Sequence, residues 1–246
     1  MKLALALSGQ PRFIDDKRPR DFFYDNFIKK YDTDVFCHAW HTNGDSYYEK
    51  SPWSKNSHYM KTISSSSIEN PIPKDSDIII LDYYKPKKYK FEPPKTFSFS
   101  SSCLTWMHKN FTNKHPEGYW SELGYSCILS HFKSIQEVLS LIHDPENYDF
   151  IVLSRYDITI PNFIEDLSIL NKDMMHLQNI HNHFPDGIYI FSKKYFEWFK
   201  IYLMKFKHQK YSLESIDQKQ KTLKELHFNI ILDWNIYNRI LLESIF

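Results

Sequence analysis

Residues 1–12 read MKLALALSGQPR, and two structures compete for them. A lysine followed by alternating leucine and alanine imitates a secretory leader. The apolar run is shorter than the roughly 7–15 residues of a leader's hydrophobic region, and Gln10-Pro11-Arg12-Phe13 stands where a small-residue cleavage site belongs. Taken as a strand, KLALAL (2–7) is a buried run closed by a tight turn at Ser8-Gly9. The fold follows from that choice. Phe22, Phe23, Phe27 and Ile28 recur at helical spacing within residues 17–30, and DVFCHA (34–39) is apolar again. Strand, helix and strand in succession make a βαβ unit, which implies a parallel sheet.

Further along, residues 42–75 are polar, with Gly44 and four serines at 64–67, and predict a surface excursion. DIIIL (77–81) predicts a third strand. YYKPKKYKFEPPK (83–95) is punctuated by proline and suits an edge strand, not a central one. The longest helix is expected over 121–143, where Leu123, Cys127, Ile128, Phe132, Ile135, Val138, Leu139 and Ile142 repeat at steps of three to five. Asp144-Pro145 ends it. Strands are expected at 150–154, 174–178 and 187–191, and helices at 193–207, 213–226 and 233–245. The sum is an α/β fold in one domain over residues 1–246: a mainly parallel sheet between helices, followed by C-terminal helices.

Composition removes several function classes. A net charge of +1 gives no bulk attraction to nucleic acid. Five glycines argue against a Gly-rich phosphate loop. No segment approaches the ~20 apolar residues of a membrane span. Cys37, Cys103 and Cys127, without a C-x-x-C pair, form neither a disulfide framework nor a zinc ribbon, and suit a reducing, cytoplasmic setting. Aromatic residues are abundant, which suits a sugar-binding cleft, although a compositional bias shared with the many Lys, Ile, Asn and Ser residues accounts for it more simply.

In parallel sheets, ligands bind beyond the carboxyl ends of the strands, so position judges the charged motifs. Asp32-Thr33-Asp34 spells D-x-D but precedes its strand, where a turn aspartate is ordinary. Arg155-Tyr156-Asp157 follows its strand. Alternation puts Arg155 and Asp157 on one side and Tyr156 on the other. Two readings compete for the pair: an internal ion pair tying down a loop, or a site in which Asp157 holds a divalent cation or a ligand hydroxyl while Arg155 meets phosphate. Ser8, Gly9 and Arg12 lie on the same expected edge. Gly9 lets backbone approach a ligand and Arg12 offers a planar fork for phosphate, unless the stretch is a solvent turn. His38-Ala39-Trp40-His41 lacks a third metal ligand nearby; Trp40 is a stacking platform or a core residue. Asp186, before Gly187, is a general base or an ordinary turn residue.

LSGQPRF, VFCHAW, YYKPKKYKFEPP, ILSHFKSIQEV, YDFIVLSRYDITI and PDGIYIFSKKYFEWF, in that order over residues 3–199, resemble a family of glycosyltransferase-like proteins of bacteria and large DNA viruses. The resemblance implies a GT-A-like, Rossmann-like fold. Residues 1–160 would bind a nucleotide-diphosphate sugar donor, and residues 161–246 would supply the glycan or other hydroxyl acceptor part. It implies that Arg155-Tyr156-Asp157 stands where D-x-D stands in that fold, with arginine in place of the first aspartate. Either a Mn²⁺ or Mg²⁺ ion bound at Asp157, or the Arg155 cation itself, then serves the diphosphate. Ser8, Gly9, Arg12, Arg155 and Asp157 are the expected donor contacts, and Asp186 the expected catalytic base. The rival classes are a non-catalytic carbohydrate- or nucleotide-binding protein on the same scaffold, and a nucleotidyltransferase.

Overall fold

The computed structural model describes residues 1–41, 72–95, 122–161, 163–177 and 187–196. Expected features at 42–71, at 181–186 including Asp186, and beyond 196 lie outside the described residues.

The first strand, β1 (Lys2–Gly9), is buried from Leu3 to Gly9. A strand covered on both faces reads as an unbroken apolar run, which is why this segment imitates a leader. Helix α1 (Lys17–Phe23) starts at Asp16, whose side chain accepts a hydrogen bond from the Arg18 backbone N–H at 2.9 Å. It continues into a π-helical turn, Tyr24–Ile28. Strand β2 (Asp32–Trp40) runs parallel to β1 and completes the βαβ unit.

DIIIL is not a strand: it lies within helix α2 (Ser76–Tyr84). A short apolar run does not distinguish strand from buried helix. The deciding period is four, with Ser76, Ile80 and Tyr84 buried while Ile78 is 56% exposed. Lys85, at φ 44°, donates its N–H to the Leu81 carbonyl and closes the helix ahead of Pro86. The third strand comes later, as β3 (Lys88–Glu92). It pairs with β2 in parallel and stands at one end of the sheet order, as its flanking prolines require.

Helix α3 (Glu122–Ser140) leads to β4 (Phe150–Arg155), which runs parallel to β1 on the side away from β2. The two remaining strands, β5 (His176–Leu177) and β6 (Ile188–Phe191), pair with each other, and β6 joins β4 antiparallel. The sheet order is β3-β2-β1-β4-β6-β5. Five strands run in one direction and β6 alone is reversed, antiparallel to β4 on one side and to β5 on the other. The antiparallel pairing was not legible in the sequence, because strand direction depends on where the chain arrives from.

Alternation divides the core. Leu3, Leu5, Leu7, Val35, Cys37, Phe150 and Val152 face α1 and α2, where Phe22, Phe23, Phe27, Ile80 and Tyr84 pack, Phe22 edge to face on Phe23 and Phe27, and Phe23 edge to face on Tyr84. Ala4, Ala6, Phe36, Ile151 and Leu153 face α3, which contributes Ile135, Val138 and Leu139, and Ile142 just beyond its end. Small residues on the middle strand let the α3 backbone come close. Helices thus cover both faces of this α/β sheet. No helix among the described residues is long and apolar enough to cross a membrane.

The chain passes outward from β1 through β2 to β3, then returns to β4 on the other flank of β1. The strand order reverses between β1 and β4, and in open α/β sheets the crevice at that reversal, beyond the carboxyl ends, is the ligand position.

Candidate functional site

The parallel register places Ser8 beside Arg155 on one flank and beside His38 on the other, and His38 beside Lys90. By alternation these residues continue the rows that face α3. A polar band therefore crosses four strands where the apolar rows end.

Ser8 is 1% exposed, and its hydroxyl has no hydrogen-bond partner. A buried polar group without a partner costs about 1–3 kcal/mol, so it calls for an explanation. The next residue, Gly9, has φ +108°, a conformation that side chains disfavour, and no atom lies within 4 Å of where its Cβ would be. Its glycine is needed for the turn, and there is room above it. The loop then bends sharply: the Arg12 N–H donates to the Gln10 carbonyl at 2.8 Å, and Phe13, at φ 55°, occupies the left-handed region, at a cost of about 1–3 kcal/mol for a non-glycine. Among the described residues, the half-buried Arg12 guanidinium makes no hydrogen bond or ion pair.

Arg155 ends β4. Its Nε donates to Asp157 Oδ1 at 2.9 Å and its Nη2 to Oδ2 at 2.6 Å, a bidentate fork. The Asp157 side chain is 12% exposed and that of Arg155 30%. Burial pushes the Asp157 carboxyl up, but the charge and hydrogen bonds of Arg155, joined by the charge of Arg12, outweigh it and hold the group below its ordinary range. The two cations and the carboxylate thus belong to one electrostatic cluster. Between the paired residues, Tyr156 turns into the opposite face. It is fully buried, and its hydroxyl donates to the His38 carbonyl at 3.2 Å, which fixes the turn to β2. Beside it, burial pushes the Cys37 thiol up to about 12.

The start of β6 closes the crevice. Ser154 Oγ donates to the Gly187 carbonyl at 2.7 Å, and the Arg155 N–H does so at 3.4 Å. Gly187 is the neighbour of Asp186, which itself lies outside the described residues.

The expected role of Asp157 as a cation ligand meets an obstacle. Both its oxygens accept from a guanidinium, with a second arginine charge nearby. A divalent ion would have to displace that fork, and the donor set as arranged does not fit one.

A second cluster went unread in the sequence. His38, fully buried, bonds through Nδ1 to Ser134 Oγ of α3 at 2.6 Å and through Nε2 to Glu92 Oε1 of β3 at 3.2 Å. A carboxylate only accepts, so Nε2 carries the proton and Nδ1 accepts from the serine hydroxyl. Burial pushes His38 down to about 4, with Glu92 opposing. Glu92 also accepts from Lys95 at 3.1 Å, and Glu137 accepts from Lys90 at 2.6 Å and from Lys133. Ser134 is fully buried, which suits a strut and not a nucleophile. The signal available was a lone histidine inside an apolar strand, which demands a partner without naming one.

The remaining motifs pack. Trp40 is 3% exposed, edge-on to His38, as a core residue would be. His41 meets Ser76 Oγ at 2.9 Å and Asp77 at 3.4 Å. Asp32 and Asp34 fall within the first residues of β2, at the amino end, where Asp34 accepts from Lys87 and Tyr148. Neither a family model, nor a curated protein, nor a solved structure matches the chain.

Proposed function

We propose that the chain is a glycosyltransferase of GT-A-like build, moving a sugar from a nucleotide-diphosphate sugar to a glycan or other hydroxyl acceptor, in a cytoplasmic setting. One observation carries this reading. The β1–β4 register brings an unpartnered buried hydroxyl (Ser8), a glycine turn with open space above it (Gly9) and two guanidinium groups (Arg12, Arg155) to the crevice where such sheets bind ligands. A diphosphate supplies what Ser8 and Arg12 lack: acceptor oxygens for the buried hydroxyl and for the Arg12 fork, and negative charge for its cation.

The chemistry follows from that placement. The bond between the sugar's anomeric carbon and the diphosphate oxygen breaks, and a bond to the acceptor oxygen forms. Charge grows on the departing nucleoside diphosphate, so cations fixed beside it lower the barrier. The acceptor hydroxyl gives up its proton to a base. Asp186, next to the anchored Gly187, is our candidate for that base.

The fork between Arg155 and Asp157 favours a second reading, because it also suits a loop tied down by an ion pair in a non-catalytic carbohydrate- or nucleotide-binding protein. Incubation with a panel of nucleotide-sugars, following donor hydrolysis and thermal stabilisation together, separates the two. Hydrolysis that disappears in Asp186→Asn supports the transferase. Stabilisation without turnover, even with glycan acceptors supplied, supports the binding protein. Neither response from any donor would remove both.

A further inference from the structure

Among the described residues two besides glycine hold a positive φ, and only one has a local reason. Lys85, at φ 44°, closes α2 through its N–H to the Leu81 carbonyl, an ordinary use of left-handed backbone. Phe13, at φ 55°, closes no helix: it precedes α1, whose N-cap is Asp16. A bulky residue in this region is a genuine outlier, and such strain persists only where its surroundings enforce it. On the donor-site reading above, on which the inference rests, we propose that Phe13 is a positioning residue: its strained backbone aims Arg12 at the crevice and holds it there before a diphosphate arrives.

The chain is anchored on both sides of the outlier. Pro11 is buried, and Ile14 is 0% exposed within the core that faces α1 and α2. Only two half-buried residues, Arg12 and Phe13, carry the chain from the crevice into that core. The Arg12 N–H bonds back to the Gln10 carbonyl at 2.8 Å, and the Phe13 carbonyl accepts from the Asp16 N–H at 2.9 Å. With both neighbours tied, the reversal falls on Phe13. Arg12 stays on the crevice side, near enough for its charge to act on Asp157. Glycine would take φ 55° at less cost, but it would also leave that conformation freely. For any other residue the left-handed well is small, so Phe13 restricts the direction of Arg12 where glycine would not. The cost of ordering Arg12 then falls on folding and not on binding.

The probes are UDP, GDP, CDP and ADP, titrated calorimetrically into the whole chain, and at least one is expected to bind. Phe13→Val puts a β-branched side chain where left-handed backbone is least tolerated, and is expected to raise that Kd about tenfold. Phe13→Asn, which tolerates the left-handed region, is expected to bind within about twofold of the unaltered chain. Arg12→Ala is expected to raise the Kd about tenfold by itself. Phe13→Val added to Arg12→Ala is expected to change nothing further, since both act through one guanidinium. Should the valine variants fail to fold, Phe13→Gly is expected to raise the Kd about two- to fivefold, and only while Arg12 is present. A Phe13 substitution whose effect is the same with and without Arg12, zero included, overturns the positioning role. So does an Arg12→Ala chain that binds unchanged. Asparagine as damaging as valine would put the effect in the ring and not the backbone, and overturns it too. No binding of any probe by the unaltered chain overturns the donor-site reading itself.

Discussion

At the amino end of the sheet, Asp34 accepts from Lys87 Nζ and from the Tyr148 hydroxyl, both at 2.7 Å, and Lys2 lies 3.8 Å away. Asp149 likewise accepts from the Lys2 backbone N–H at 2.8 Å and from Lys172 at 2.6 Å. At the carboxyl end the same residue types are arranged differently. Asp157 and Arg155 pair with each other, but the Ser8 hydroxyl is buried without a partner, Gly9 and Phe13 hold left-handed backbone, and Arg12 adds a second cation. One end is complete in itself. The other leaves a buried hydroxyl, that of Ser8, without a partner among the described residues. Acidic residues in an inviting pattern say little alone; what distinguishes a site from a solvated surface is what the fold leaves unpaired.

The largest effect expected from this contrast is a dependence of stability on pH. His38 titrates near 4 in the folded chain against an ordinary 6.5. Between those values the unfolded chain takes up a proton that the folded chain refuses. The stabilisation is therefore complete above pH 6.5 and falls as pH drops toward 4, by about 3 kcal/mol in all. Urea midpoints measured from pH 7 to pH 4.5 read this directly, and His38→Gln is expected to flatten the slope. Asp34, whose folded carboxyl is lowered by Lys87 and Tyr148 despite the opposing push of burial, loses its contribution only as pH falls below the ordinary carboxylate range. A flat profile between 6.5 and 4.5 would mean that His38 does not sit buried and neutral.

A smaller effect separates the two aspartates. Asp157→Asn removes the carboxylate charge from the bidentate pair with the part-buried Arg155 and is expected to cost about 2 kcal/mol, below the usual range for a fully buried pair because Arg155 is 30% exposed. Asp34→Asn, with its Lys87 partner 52% exposed, is expected to cost about 0.5 kcal/mol. Chemical denaturation of both variants tests the ranking, and equal losses would erase the distinction between the ends.

The smallest effect has the opposite sign. Ser8→Ala removes a buried hydroxyl that has no partner, so the folded chain is expected to gain up to about 1 kcal/mol. Nucleoside diphosphate binding is expected to weaken in the same variant. A variant that loses stability would show that the hydroxyl is already satisfied within the fold.

Part of this was readable in the residues. β1, β2 and β4 are covered on both faces, so their apolar runs declared them, and the ordinary period of two placed Arg155 and Asp157 on one side. Helix α2 was misread because Ile78, Ile79 and Ile80 are consecutive. Only the burial of Ser76 with Ile80 and Tyr84 reveals the period of four, and a serine does not advertise itself as buried. The reversal of β6 and the link of His38 to Ser134, 96 residues away, are long-range facts that local pattern does not carry. The incompleteness of Ser8 is of the same kind, since a missing partner is seen only when every neighbour is in place.

Cys37 gives the sheet a means of reporting on itself. Its sulfur sits at the centre of β2 with 0% exposure, and only the thiolate, which burial disfavours, reacts readily with alkylating reagents. Modification of this thiol in native buffer must wait until β2 parts from its neighbours. Its rate of labelling therefore counts the opening events of the middle of the sheet, a clock installed by the sequence without any added probe.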